Sequence, residues 1–292
     1  MTPQAVATDR WTERRRRAAE LTARWPFASE VLTFYSALLD AQARIWEAVQ
    51  PELSDPVQTA AYVAGRALPL VREVTIAGGP EPLARAAAGG ADRGRAQWEE
   101  RVHAWLAGGE LSAMDRYFVR AAAGPVLEAL GPRARDACAG PDDQRHCPQC
   151  GGVPQLSVFT PSGEDLVAPR RFVECARCAW RWPYPRMTCP ACGEAETRHL
   201  PIFAEEGTTA GEATGQVIRR GGEIPAGPDA GAPRFPHVSI QACRTCARYL
   251  LNIDLSRDGR AVPVVDEMAA IPLDLYAREQ GLAKIVPNLM GL

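Results

Sequence analysis

The chain has 292 residues and a mass of 31.6 kDa, too long for one small module and suited to two or three domains. With 46% hydrophobic and 23% charged residues it is a folding sequence, so wholesale disorder is excluded. The 33 Lys+Arg and 35 Asp+Glu residues leave a formal charge of −2, which gives no global field for nucleic acid or an anionic membrane.

In chain order, residues 9–24 read as a charged helix with Trp11, Ala18 and Leu21 on one face, stopped before Pro26. Its Arg14–Arg17 run has no apolar stretch behind it, so it reads as a solvated face and not as an export signal. No uninterrupted apolar run approaches the roughly 18 residues of a membrane span. The expectation is a cytoplasmic protein, not inserted in a membrane, whose thiols stay reduced. Residues 30–50 repeat apolar side chains at helical spacing (Val31, Leu32, Tyr35, Leu38, Leu39, Trp46, Val49) between Ser29 and Pro51. A third helix opens with Asp55 as cap and Pro56 at its first position, and runs toward Leu70 with Pro69 near its end. Residues 91–107 form another, closed by Gly108-Gly109, and 112–123 and 125–130 are broken at Gly124-Pro125.

After residue 140 the pattern changes to short strands at Val153–Phe159, Arg171–Glu174, Leu200–Phe203, Val238–Ala242 and Tyr249–Ile253. Residues 205–236 hold seven Gly and four Pro and read as a long mobile loop. From Ala261 an apolar pattern suits a helix with Pro272 near its middle, followed by an extended tail.

Nine cysteines are present, and eight form four Cys-x-x-Cys pairs: Cys147/Cys150, Cys175/Cys178, Cys189/Cys192 and Cys243/Cys246. In a reducing compartment this spacing points to metal. Cys147-Pro-Gln-Cys-Gly151 repeats as Cys189-Pro-Ala-Cys-Gly193, and each is followed by a plainer pair. The simplest parsing is two tandem units, each closing one tetrahedral Cys₄ site. A two-residue spacer lets a tight turn place both sulfurs about 2.3 Å from one ion. Proline presets that turn, and the following glycine tolerates the positive φ that swings backbone N–H groups toward the sulfurs. All-sulfur tetrahedral coordination suits iron, one ion in each of two mononuclear sites, or zinc in the same sites. Arg145, Arg177, Arg181, Arg186, Arg244 and Arg248 stand near the ligands and are expected to offset thiolate charge.

These residues resemble the formate dehydrogenase accessory protein FdhE family over roughly residues 146–292. The resemblance rests on the two Cys-Pro-x-Cys-Gly turns, on Cys175 and Cys178 followed by Trp182 and Arg186, and on Cys243, Cys246, Tyr249 and Asp254. It continues through Asp266, Leu273-Asp274, Gly281 and Asn288. One departure is Leu251, where the family suggests a lysine on the surface. The resemblance implies a multidomain α+β chain: an N-terminal all-α helical domain (1–140), two tandem rubredoxin-like or zinc-ribbon Cys₄ domains (141–187 and 188–260), and a C-terminal helix and tail (261–292). It implies a cytoplasmic factor that is not an enzyme, needed for active formate dehydrogenase and binding that enzyme's catalytic subunit during maturation. It also favours iron.

Two other functions fit the same motifs: a rubredoxin-type electron carrier and a zinc-ribbon nucleic-acid-binding protein. Residues 141–260 carry 14 Arg and 14 Asp+Glu, which disfavours the second. No Ser-His-Asp set, phosphate loop or metal site with an open position stands out, so no catalytic residue is assigned. His146, His199, His237 and Cys138 read as residues outside the ligand sets, and Asp142, Asp143, Asp266 and Glu267 as solvated charge.

Overall fold

The computed structural model describes residues 3–89, 94–161, 168–208, 217–218 and 232–291, with backbone only for 3–9 and 217–218. The chain forms two compact units that cut it elsewhere than residues 140, 187 and 260. One comprises Met1–Val153, Cys175–Trp180 and Asn288–Gly291, and the other Pro154–Glu174 and Arg181–Pro287.

The first unit is helical: α1 (Pro3–Arg24), α2 (Ser29–Glu52), α3 (Thr59–Tyr62), α4 (Leu68–Gly78), α5 (Glu81–Gly89), α6 (Arg95–Leu106), α7 (Ala113–Leu130) and α8 (Ala134–Ala137). Helix α2 buries Leu32, Tyr35, Leu38, Leu39, Ile45 and Val49, the apolar face legible in the sequence. Asp55 caps a short 3₁₀ turn by accepting from the Val57 N–H at 3.0 Å. Residues 90–93, the start of the expected helix over 91–107, lie outside the described residues. The Arg14–Arg17 run is not wholly solvated. Arg14 and Arg17 are buried, and Arg14 pairs with Glu128 at 2.9 Å.

Two prolines act differently from the sequence expectation. Pro69 does not end its helix. Val63–Ala67 widens into a π turn, in which the Leu68 N–H bonds the Val63 carbonyl, and α4 then runs to Gly78. Helix α7 runs unbroken through Gly124-Pro125. Pro125 has no N–H for the carbonyl of Ala121, four residues back. The buried side chain of Gln42 on α2 supplies the missing donor, with its Nε2 2.9 Å from the Ala121 oxygen.

The second unit is built on one sheet, β3-β2-β1-β7-β6-β4-β5 in spatial order, with β8 pairing β7 off that path. Its strands are β1 (Pro154–Thr160), β2 (Arg170–Cys175), β3 (Arg181–Pro183), β4 (Ile202–Glu205), β5 (Val217–Ile218), β6 (Val238–Cys243), β7 (Arg248–Asp254) and β8 (Ala283–Lys284). Strands expected in two separate metal domains thus share a sheet, joined where β1 runs parallel to β7, with Leu156 opposite Leu251. Leu251 is fully buried in β7, so it is not a surface position. Most of the glycine-rich loop, 209–216 and 219–231, lies outside the described residues. Its described parts are bonded: β5, in its middle, pairs with β4, and at its ends the Glu205 carboxylate accepts from the Phe235 N–H at 2.7 Å.

The C-terminal pattern becomes two helices, α9 (Pro263–Ala269) and α10 (Ile271–Glu279), because Pro272 sits in the first turn of the second. They lie over a buried polar cluster. Lys284, the only lysine among 33 basic residues, places its Nζ 2.7 Å from Glu267 and 3.0 Å from Asp274. Asp274 also accepts from the Tyr249 hydroxyl at 2.8 Å, and Glu267 from Gln155. Asp266 accepts from the Val262 N–H at 2.7 Å and bonds His237 at 2.9 Å. Asp266 and Glu267 are buried, the reverse of solvated charge. Among the described residues, no helix is long and apolar enough to cross a membrane.

Candidate metal centres

The eight paired cysteines converge as two sets of four: Cys147, Cys150, Cys175 and Cys178 in the first, and Cys189, Cys192, Cys243 and Cys246 in the second. The first set lies wholly in the helical unit and the second wholly in the sheet unit. All eight are free thiols. Sulfurs bound at about 2.3 Å around one tetrahedral ion stand about 3.8 Å apart. In the first set Cys147 is 3.6 Å from Cys178, and Cys150 is 3.4 Å from both Cys175 and Cys178. In the second, Cys189–Cys246 is 3.8 Å and Cys192–Cys243 is 3.7 Å. The four donors of each set therefore fit a single tetrahedral cation.

The local backbone explains why each pair closes. In the Pro-bearing turns, Gly151 N–H bonds the Cys147 carbonyl at 2.8 Å and Gly193 N–H bonds that of Cys189 at 2.9 Å. Cys147 N–H in turn bonds the Gly152 carbonyl, and Cys189 N–H that of Glu194. Gly151 and Gly193 take φ of 65° and 82°. The plainer pairs make the same turn with alanine: Ala179 and Ala247 stand at φ 54° and 53°. These two alanines were not singled out from the sequence, although they follow their cysteines as the glycines do. They are the positive-φ residues other than glycine among those described.

Burial distinguishes the sets. All four thiols of the first are at most 3% exposed. Its turn is closed by tight packing: a Cβ on Gly151 would fall 2.7 Å from the Gly140 Cα, and one on Gly152 2.8 Å from the Cys175 sulfur. The Arg177 N–H points at Cys175 Sγ at 3.3 Å, while its guanidinium reaches the Leu106 and Cys150 carbonyls and lies over the Trp105 ring. In the second set Cys189 and Cys243 are buried, but Cys192 is exposed and Cys246 half-buried. The two turns of this set are tied by Glu194, whose Oε2 accepts from Thr245 Oγ1 at 2.6 Å and faces His199 Nδ1 at 3.1 Å. Those contacts hold the Glu194 carboxyl down to about 2, the Thr245 hydroxyl contributing most.

Four of the other five arginines expected near the thiolates reach elsewhere. Arg181 pairs with Glu174, Arg145 with Asp143, and Arg186 and Arg248 donate to the Pro169 and Lys284 carbonyls. His146 bonds Asp143 at 2.7 Å. Cys138 is not one of the four first-set thiols, although the charges of Cys147 and Cys175 reach it. Burial pushes its thiol up to about 11. Burial also pushes the Cys175 thiol well above its ordinary value, so four thiolates side by side would need a cation.

No family model matches the chain. It is 28% identical over 194 residues to a protein named FdhE homolog from Aquifex aeolicus, covering 65% of this chain and 56% of that protein. It is 26% identical over 144 residues to the FdhE homolog of Pseudomonas aeruginosa, covering 49% of this chain and 38% of that one. The chain thus spans about half or less of the length of these curated relatives. Its fold matches the crystal structure of the FdhE protein from Pseudomonas aeruginosa with a TM-score of 0.62 at 20% identity, over 97% of this chain and 95% of that one. The sequence relatives and the solved structure that this chain resembles carry one name, FdhE.

Proposed function

We propose that this protein is a cytoplasmic accessory factor required for active formate dehydrogenase, binding that enzyme's catalytic subunit during maturation. The eight paired cysteines would ligate two ions, iron or zinc, and the loaded sites would hold the binding surface in shape. The observation that carries the reading is the pair of Cys₄ sets on a fold shared with an FdhE protein. A site with four protein ligands has no open position for substrate, so the protein is read as a non-enzyme. Deleting the gene should abolish or sharply reduce formate oxidation, restored by a plasmid copy. Undiminished oxidation in the deletion strain overturns the reading. Elemental analysis of anaerobically purified protein should give two equivalents of metal, with thiolate charge-transfer bands if the metal is iron.

The half-exposed second set favours one other reading, a rubredoxin-type electron carrier, since a redox iron works close to solvent. It requires a reversible one-electron step. Protein carrying zinc alone, or iron without such a step, excludes it. The balance of 14 Arg against 14 acidic residues supports neither DNA nor RNA as a partner.

A further inference from the structure

The two Cys₄ sets differ in a way that their identical spacing conceals. The first has no thiol more than 3% exposed, and adding even one methyl at Gly151 or Gly152 would collide with backbone or with a ligand sulfur. An incoming ligand reaches that site only if the turns open. In the second set the first cysteine of each pair, Cys189 or Cys243, is buried and receives backbone N–H groups from its own turn. The second cysteines are less covered: Cys192 is exposed and Cys246 half-buried. The Cys192–Cys246 edge of the set is therefore the more accessible one, and the Cys189–Cys243 edge the buried one.

The second set is also tied by hydrogen bonds that do not involve its sulfurs. Glu194, from the loop after Cys192, bonds the Thr245 hydroxyl between Cys243 and Cys246. The Arg244 N–H bonds the His199 carbonyl at 2.8 Å, and the Ala242 N–H bonds that of Pro201 at 3.0 Å. The last two bonds tie the Cys243–Cys246 turn and its strand to the segment 199–201, and the Glu194–Thr245 bond ties it to the residue that follows the Cys189–Gly193 turn. These bonds would keep the two turns together if an ion left.

We propose that the second set is an exchange site: it gives up and takes back its divalent cation to soft ligands in solution, thiols or chelators, while the first set keeps its own. This rests on the metal reading above. Cys189, Cys192, Cys243 and Cys246 would hold the ion, and in an exchange each incoming thiol would give its sulfur to the ion and its proton to the cysteine thiolate it displaces, with Cys192 the most exposed of the four. No electron is transferred, and the Glu194 clamp keeps the empty site ready to reload.

The test uses full-length protein holding two equivalents of zinc, challenged with excess of the chromophoric chelator 4-(2-pyridylazo)resorcinol. One equivalent is expected to leave at least about tenfold faster than the other, because reaching the first site requires local opening and reaching the second does not. Iodoacetamide added after the fast phase, followed by peptide mass spectrometry, should label Cys189, Cys192, Cys243 and Cys246 and spare Cys147, Cys150, Cys175 and Cys178. Dilution into fresh zinc should restore the second equivalent. In Thr245→Val that recovery should fall while first-site zinc is unchanged. Two equivalents leaving at one rate, or labelling of the first set ahead of the second, overturns the proposal with the metal reading intact. Protein that takes up no metal under any condition overturns the reading beneath it as well.

Discussion

Four positive backbone angles close the four cysteine turns, and they are paid for unequally. Glycine takes such an angle freely, whereas alanine at 179 and 247 bears roughly 1–2 kcal/mol of strain. Their persistence shows that the surrounding bonds over-determine the turn. At Gly193 a Cβ would meet nothing within 4 Å, so Gly193→Ala should cost about 1 kcal/mol in chemical denaturation and leave metal content at two equivalents. Gly152→Ala is a different case. Its Cβ would press on the Cys175 sulfur, and this variant should lose the first-site ion and retain the second, by elemental analysis. The grouping of eight cysteines into two sets of four was legible because tetrahedral sulfur coordination dictates both residue type and spacing. The alanines were not, since nothing about an isolated alanine signals a positive φ. Only superposing the four turns brings them out.

At the scale of elements, the unbroken α7 depends on a residue far away in sequence. Gln42→Leu should leave the Ala121 carbonyl buried and unpaired, at a cost of about 1–3 kcal/mol by thermal or urea unfolding. Adding Pro125→Ala should recover part of that loss by restoring an intrahelical donor, a coupling that a double-mutant cycle measures. Gly124-Pro125 reads locally as a break because its compensation comes from another helix, and no window of sequence contains both. The apolar face of α2 was readable for the opposite reason, being a repeat within one element. The C-terminal helices are held by charge. Lys284→Met would strand Glu267 and Asp274 together without a counter-ion, and a loss of about 3–5 kcal/mol is expected. Lysine and arginine are not interchangeable there. A compact ammonium fits between two carboxylates where a planar guanidinium would not, so Lys284→Arg should also destabilise the chain.

At the scale of the molecule, the proposed metal ligation is coupled to protons. Every ligand must give up a proton to bind, so loading releases protons, and acidification should strip the ions and lower the melting temperature. Calorimetric zinc titrations in buffers of different ionisation enthalpy would count the protons, and a count of zero contradicts thiolate ligation. The broad division into helices and then strands was legible from composition. The shared sheet was not, because parallel pairing of β1 with β7 joins residues about a hundred positions apart. Nor was the path of the chain: Cys175–Trp180 returns to the helical unit after Pro154–Glu174 has left it, so a fragment ending at Val153 carries only two of the four first-set thiols. The solitary lysine has a practical consequence as well. With 32 arginines carrying the other basic charges and Lys284 only 2% exposed, the folded chain presents amine-selective acylating reagents with no accessible side-chain target. Acylation of that one side chain, followed by peptide mass mapping to separate it from the α-amine, becomes a clock for the opening of the C-terminal strand.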